Sequence, residues 1–138
     1  MRVIRSAAAR RTSTPLAHMT TLASPTQGNA ATALWRVDMT PGATGPYHTF
    51  DVEQIWTVIS GGATVVAGDA SSNLGAGDTF VLPADLPRRI HSDPVHGFVA
   101  IVTAPAGARA YNPNDVTPAD ACDGAPRAAE RLVPAWIA

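Results

Sequence analysis

The chain has 138 residues, of which 46% are hydrophobic and 15% charged, and its formal net charge is −1. This length suggests one domain, and the composition is typical of a globular protein with a single core. A near-neutral charge gives no electrostatic reason to expect a nucleic acid or an acidic membrane as partner. The single cysteine, Cys122, excludes an intrachain disulfide, and the absence of lysine excludes Schiff-base chemistry.

Residues 1–30 are predicted to form an arm that is rich in arginine, serine and threonine. This arm lacks the apolar run of a signal peptide, and no part of the chain has enough consecutive apolar residues to cross a membrane. We therefore expect a cytoplasmic protein without membrane contact. Residues 1–4 have weak strand character and could supply an edge strand.

From residue 32 onwards, strand patterns alternate with turns marked by glycine and proline. Residues 32–39 alternate apolar and polar side chains, which predicts a half-buried strand. Gly61 and Gly62 separate residues 54–59 from residues 63–67, which predicts a hairpin. Further strands are predicted at residues 47–50, 79–82, 88–91 and 97–103. The spacing predicts an all-β fold and excludes a βαβ dinucleotide-binding fold.

The C-terminal residues 106–138 are rich in proline and alanine. Residues 125–133 could form one helix, which Pro134 would end. Trp136 and Ile137 are too apolar for a free tail, so we expect this segment to pack on the barrel.

Two spaced patterns of residues stand in order along the central part of the chain. In the first, Gly42 is followed after five residues by His48, then by Phe50, Gln54 and Gly61. This spacing resembles the first motif of the cupin superfamily, which has histidine at the second and third of these places and glutamate at the fourth. One of the three metal-ligand places therefore holds the residue of the family.

The second pattern begins at Gly77 and continues with Pro83, Asp85, Arg88 and Ser92. It resembles the second cupin motif, which has glycine, histidine and asparagine at the last three places. The resemblance covers roughly residues 35–105. It implies a single-domain double-stranded β-helix, or jelly-roll barrel, in residues 31–105, and it implies pairing into a homodimer through an N-terminal strand.

If the register of the family holds, side chains from three strands point into the barrel, because alternate residues of a strand share a face. Five of them would line its mouth: His48, Phe50, Gln54, Trp56 and Arg88. An apolar pocket with a few polar groups is typical of a site for a small molecule.

The resemblance leaves three hypotheses for function. The first is a small-molecule enzyme for proton transfer, such as an isomerase, dehydratase or cyclase in natural-product biosynthesis, with no cofactor expected. His48 would be its acid or base, while Gln54 and Arg88 would bind the substrate and Phe50 and Trp56 would stack on it. The second is an oxygenase or cyclase whose divalent metal is held by His48, Gln54 and another histidine. The third is a non-catalytic binding or sensing module.

Overall fold

The computed structural model describes residues 1–113 and 130–138, and these residues contain ten β-strands, one 3-10 helix (Ser6–Ala8) and no α-helix. The all-β prediction is therefore confirmed. No helix in the described residues is long and apolar enough to span a membrane. The strands are β1 (Arg11–Ser13), β2 (Ala17–Ala23), β3 (Thr32–Met39), β4 (Thr49–Phe50), β5 (Gln54–Ala67), β6 (Ala70–Gly75), β7 (Thr79–Leu82), β8 (Arg88–Ser92), β9 (Phe98–Pro105) and β10 (Ala110–Tyr111).

The long strand β5 belongs to both halves of the fold. Its first part pairs with β9 and β7, and its second part pairs with β6 and β8. The main path runs β1-β2-β3-β9-β5-β6, while β10 pairs with β4. Every named pairing is antiparallel. The inward-facing side chains of the two halves therefore form one core.

The predicted hairpin at Gly61 and Gly62 is wrong, because β5 runs through both glycines without turning back. Gly61 has φ +68°, and its pairing with β9 shifts register between Val58 and Ser60. A Cβ at Gly61 would lie 2.0 Å from the carbonyl oxygen of Gly97. Glycine thus permits a bulge and a close backbone approach that redirect the strand, where the sequence alone suggested a turn.

The core consists of the inward-facing residues of the central strands. In β3 the alternation predicted from the sequence is confirmed, since Ala33, Trp35, Val37 and Met39 are all buried. β9 presents a matching set from Phe98 to Ala104, paired residue by residue with β3. β7 confirms the strand predicted at residues 79–82, and only its inner face belongs to the core: Leu82 is buried, whereas Thr79 and Val81 are exposed.

The N-terminal residues differ in detail from the prediction. Met1–Ile4 do not form a strand; Arg2 instead donates from Nη1 to the carbonyl oxygens of Gly28 and Asn29. β1 and β2 are the strands of this region, and β2 pairs with β3. Much of the predicted arm is thus part of the main sheet.

The C-terminal residues pack on the barrel. Ile137 is fully buried and Trp136 packs against the core. The predicted helix at residues 125–133 lies mostly outside the described residues, and its described end, 130–133, is not helical. There Leu132 forms a β-bridge with Ala110 instead.

Candidate functional site

One cavity of about 120 Å³ lies inside the barrel, partly open to solvent. Apart from the indole nitrogens of its tryptophans, the described lining residues carry nitrogen or oxygen side-chain atoms at three places: Thr14, His48 and Gln54. The remaining lining residues are Leu16, Ala17, Met19, Trp35, Val37, Met39, Gly45, Pro46, Phe50, Trp56, Ile90, Ala110, Pro134 and Trp136. The structure thus brings together four of the five predicted site residues, and Arg88 is the exception.

His48 reaches the cavity from the segment that leads into β4. Its backbone pairs with Arg88 of β8, and its Nδ1 lies 2.8 Å from the carbonyl oxygen of Pro46. A carbonyl oxygen only accepts hydrogen bonds, so Nδ1 carries the proton of the neutral ring. Nε2 therefore has a free lone pair, and it forms no hydrogen bond within the described residues. The tautomer leaves Nε2 as the atom that can take a proton from a ligand.

The surroundings of His48 keep its imidazole neutral. Burial, together with the charge of Arg88 and against the hydrogen bond to Pro46, lowers the pKa of His48 from 6.5 to about 4. His48 is therefore a weak base, and it accepts a proton readily only when negative charge forms beside it.

Gln54 begins β5 and is fully buried. Its Oε1 accepts hydrogen bonds from Arg88 Nη2 at 3.0 Å and Trp56 Nε1 at 3.2 Å. Both partners can only donate, which fixes the orientation of the amide. The Nε2 group of Gln54 is buried and has no partner in the described residues. Because Gln54 lines the cavity, we expect its two N–H groups to be available to a ligand.

Arg88 does not reach the surface of the cavity, which corrects the prediction that it binds a substrate directly. It is 1% exposed, and its guanidinium donates to Gln54 Oε1, Thr49 Oγ1 and the carbonyl oxygen of Leu86. Burial lowers the pKa of Arg88 to about 10, so the group stays charged at neutral pH. It forms no ion pair with the described residues. Its positive charge is therefore held behind the cavity wall without a direct ion pair in the described residues, although Tyr111 and Asp85 act on it electrostatically and raise its pKa against the effect of burial.

Phe50 and Trp56 supply aromatic walls. The Phe50 ring meets the His48 ring edge-on at 5.4 Å, and the Arg88 guanidinium carbon lies 5.1 Å from the Phe50 centroid. Trp56 stacks with Phe80 at 5.7 Å and with Phe98 at 6.3 Å between centroids. Both residues are part of the core as well as of the cavity lining.

The residues of the site do not fit a divalent metal ion. Within residues 1–113 and 130–138, no group of three or more His, Cys, Asp or Glu side chains is arranged to hold one. The oxygen of Gln54 already accepts two hydrogen bonds, one from a cation, and an amide nitrogen is no ligand. The other histidines contact Ser13, Thr44 and Asp93 through their rings, away from the cavity lining.

The sequence did not predict that residues 14–19 and the C-terminal segment form part of the site. Thr14, Leu16 and Met19 line the cavity from β2 and the turn before it, and Pro134 and Trp136 line it from the C-terminal segment. For Trp136 the signal was its apolar character, which predicted docking but not the place. For residues 14–19 the sequence carries no comparable signal.

Comparisons with known proteins agree with this fold. Residues 35–100 match the family described as Cupin domain. The polyketide cyclase RemF from Streptomyces resistomycificus superposes with a TM-score of 0.67 at 17% identity, over 78% of this chain and 81% of that chain. An RmlC-like cupin from Shewanella frigidimarina gives a TM-score of 0.65 at 18% identity, over 78% and 93%. Oxalate decarboxylase from Bacillus subtilis, with Mn(II) centres, gives 0.67 at 17%, over 75% and 29%.

No curated protein sequence matches the chain significantly. The identities to solved structures are low enough that they establish the fold and not the activity. The family match, the two spaced motifs and the antiparallel double sheet agree with one another. The chain therefore contains a cupin domain, in residues 35–100, with the jelly-roll fold.

Proposed function

We propose that the protein is a small-molecule enzyme that transfers protons on a carbonyl compound of about one ring in size, with His48 as the base. The observation that carries this proposal is the pairing, in one apolar cavity, of a free imidazole lone pair with an unpartnered buried amide donor. A ring of benzene size needs a cavity of roughly 150 Å³ when fully enclosed. The cavity of about 120 Å³ is partly open, so a single ring can sit in it with one end exposed.

In the proposed reaction, His48 Nε2 removes a proton from the carbon next to the carbonyl group. The C–H electron pair forms the C=C bond of an enolate, and the π electrons of the carbonyl group move onto its oxygen. This negatively charged oxygen accepts a hydrogen bond from Gln54 Nε2. The proton on His48 then returns to a different carbon in an isomerisation, or protonates a departing hydroxide in a dehydration. In a cyclisation, the enolate carbon attacks a second carbonyl, and His48 protonates the new alkoxide.

The reaction class can be tested without knowing the natural substrate. Single-ring ketones are incubated with the protein in D2O, and incorporation of deuterium at the carbon next to the carbonyl is followed by NMR. We expect exchange above the buffer rate with the wild type and a loss of about 10²-fold or more in His48→Ala. His91→Ala is the control, because His91 contacts Thr44 outside the cavity. Exchange that survives in His48→Ala contradicts the proposal.

The same proposal holds that no metal takes part, because the ligand set of the site does not fit one. Treatment with a chelator followed by buffer exchange should leave the deuterium exchange rate unchanged. Metal analysis of protein purified without chelator should give less than stoichiometric metal. Stoichiometric metal, with activity lost on its removal, would favour the oxygenase or cyclase hypothesis instead.

A non-catalytic binding module is the remaining alternative, and the cavity is compatible with it. A ligand that binds in the cavity and is recovered unchanged, with no deuterium incorporated, would support that hypothesis. The small cavity and the buried donor are shared by both functions, so only turnover separates them.

A further inference from the structure

A buried positive charge stands directly behind the polar wall of the cavity. Arg88 is 1% exposed, and each of its hydrogen-bond acceptors is neutral: Gln54, Thr49 and the backbone of Leu86. Its Nε is also buried without a partner in the described residues. Asp85 acts on this charge electrostatically, but burial outweighs its effect and still lowers the pKa of Arg88. A buried charge that is only partly compensated is costly, so the site favours further negative charge nearby.

Gln54 can transmit this preference into the cavity. Arg88 and Trp56 both donate to Oε1 of its amide, which draws electron density toward the oxygen. Hydrogen bonds in such a chain polarise one another, so the N–H groups on the opposite side become stronger donors. Those N–H groups have no protein partner among the described residues, and Gln54 is fully buried.

The lining excludes other sources of charge. Apart from His48, which stays neutral with a pKa of about 4, no described residue of the lining has an ionisable side chain. A ligand that is charged from the start would have to leave water for a nearly apolar cavity. A ligand with one weakly acidic oxygen can enter neutral and become anionic in place when its O–H proton passes to the free lone pair of His48 Nε2.

We propose that the cavity binds single-ring ligands whose oxygen becomes an anion in the site, of the enol or phenol class, and that Arg88 stabilises this oxyanion through Gln54. Arg88 is a positioning residue here, since it touches Gln54 and not the ligand. The inference concerns the cavity of the proposed function and rests on it for the role of Gln54 as donor. It names the chemical class of the ligand and explains why more acidic ligands would bind more tightly.

Substituted phenols of similar shape and different acidity provide the probe. Nitrophenols are titrated into the whole protein at a pH below their solution pKa, and the absorbance reports whether the bound form is phenol or phenolate. We expect the bound nitrophenol to ionise, and affinity to rise across the series as the solution pKa of the phenol falls. The expected gain is roughly tenfold or more between the weakest and strongest acid, equivalent to about 1.4 kcal/mol.

Variants of Arg88 separate its charge from its packing. Arg88→Met should retain phenol binding but lose ionisation of the bound probe and the dependence on acidity, whereas Arg88→Lys should restore part of both. Circular dichroism checks the fold of each variant. If Arg88→Met does not fold, the wild-type absorbance decides by itself. A bound probe with the neutral spectrum overturns the proposal, and so does the absence of binding by any phenol.

The result is distinguishable from failure of the proposed function. Phenolate binding without deuterium exchange in the ketone assay would overturn the proton-transfer reaction and leave the oxyanion site standing. Deuterium exchange that depends on His48, without ionised phenol in the cavity, would overturn the oxyanion site alone.

Discussion

At the scale of single residues, one backbone contact decides which atom of His48 can react. The hydrogen bond from Nδ1 to Pro46 fixes the tautomer, and the neighbouring cation Arg88 adds to the burial that keeps the ring neutral. The role proposed for Arg88 also follows from its position, because its positive charge contacts the lining residue Gln54 while Arg88 itself does not line the cavity. The chemistry of this site thus depends on the immediate neighbours of each side chain more than on its residue type.

The pKa of His48 gives a prediction for the pH dependence of the protein. Nitrogen-15 NMR should show His48 as the Nδ1–H tautomer, titrating with a midpoint of about 4. Because the folded pKa lies below the ordinary value of 6.5, the unfolded chain binds the proton first as the pH falls. His48 should therefore cost stability progressively between pH 6.5 and about pH 4, and His48→Gln should lessen that loss. A midpoint near 6.5 would contradict the burial argument.

At the scale of elements, β5 holds the site together because it carries Gln54 and Trp56 at its start and joins both halves of the barrel. Its passage depends on Gly61, where the chain adopts φ +68° beside the carbonyl of Gly97. A residue with a Cβ would be strained there by both its conformation and its contacts.

Gly61→Ala should lower the free energy of unfolding by about 2–4 kcal/mol, since it adds left-handed backbone strain to a clash. Gly75→Ala at the end of β6 is the matched control, because its Cβ would meet no atom within 4 Å and its φ is not positive. Urea unfolding of both variants measures the difference. Equal stability of Gly61→Ala and the wild type would show that β5 has another way to bend.

At the scale of the whole molecule, residues 14–19 and the C-terminal segment both line the cavity, which stays partly open to solvent. The carbonyl oxygen of Ala138 accepts hydrogen bonds from Arg10, Ser24 and Thr26, each at 2.6 Å. The carbonyl oxygen of Trp136 accepts another from Thr21 Oγ1 at 2.9 Å. These bonds hold the C-terminal segment on the barrel, with Trp136 in the cavity lining, so we expect Trp136 to limit the size of a ligand.

Trp136→Ala should enlarge the cavity and admit two-ring phenols such as naphthols that the wild type binds weakly. Val133→Ala is the control, since Val133 lies in the same segment, is 37% exposed and does not line the cavity. Affinities from fluorescence or calorimetry give the comparison. We expect the ratio of naphthol to phenol affinity to rise about tenfold in Trp136→Ala only, the effect of roughly 1.4 kcal/mol of added contact. An unchanged ratio would remove Trp136 as a determinant of size.

The homodimer remains a prediction, although the strand proposed for it at residues 1–4 does not form within this chain. Ile55 and Val81 face each other across β5 and β7 and are 39% and 51% exposed. Light scattering over a range of concentrations measures the mass. If the protein is a dimer through this face, Val81→Glu should give a monomer. A monomeric wild type would refute the prediction.

The sequence by itself determined the fold class and most of the strands, because motif spacing and period-2 alternation are local properties that burial then enforces. The strand at residues 32–39 has the predicted bounds, and four of the five predicted site residues line one cavity. Only the tertiary structure decided that Gly61 bends a strand, that Arg88 stands behind Gln54, and that Trp136 lines the site. Each of these depends on contacts between residues far apart in the chain, which no local pattern encodes.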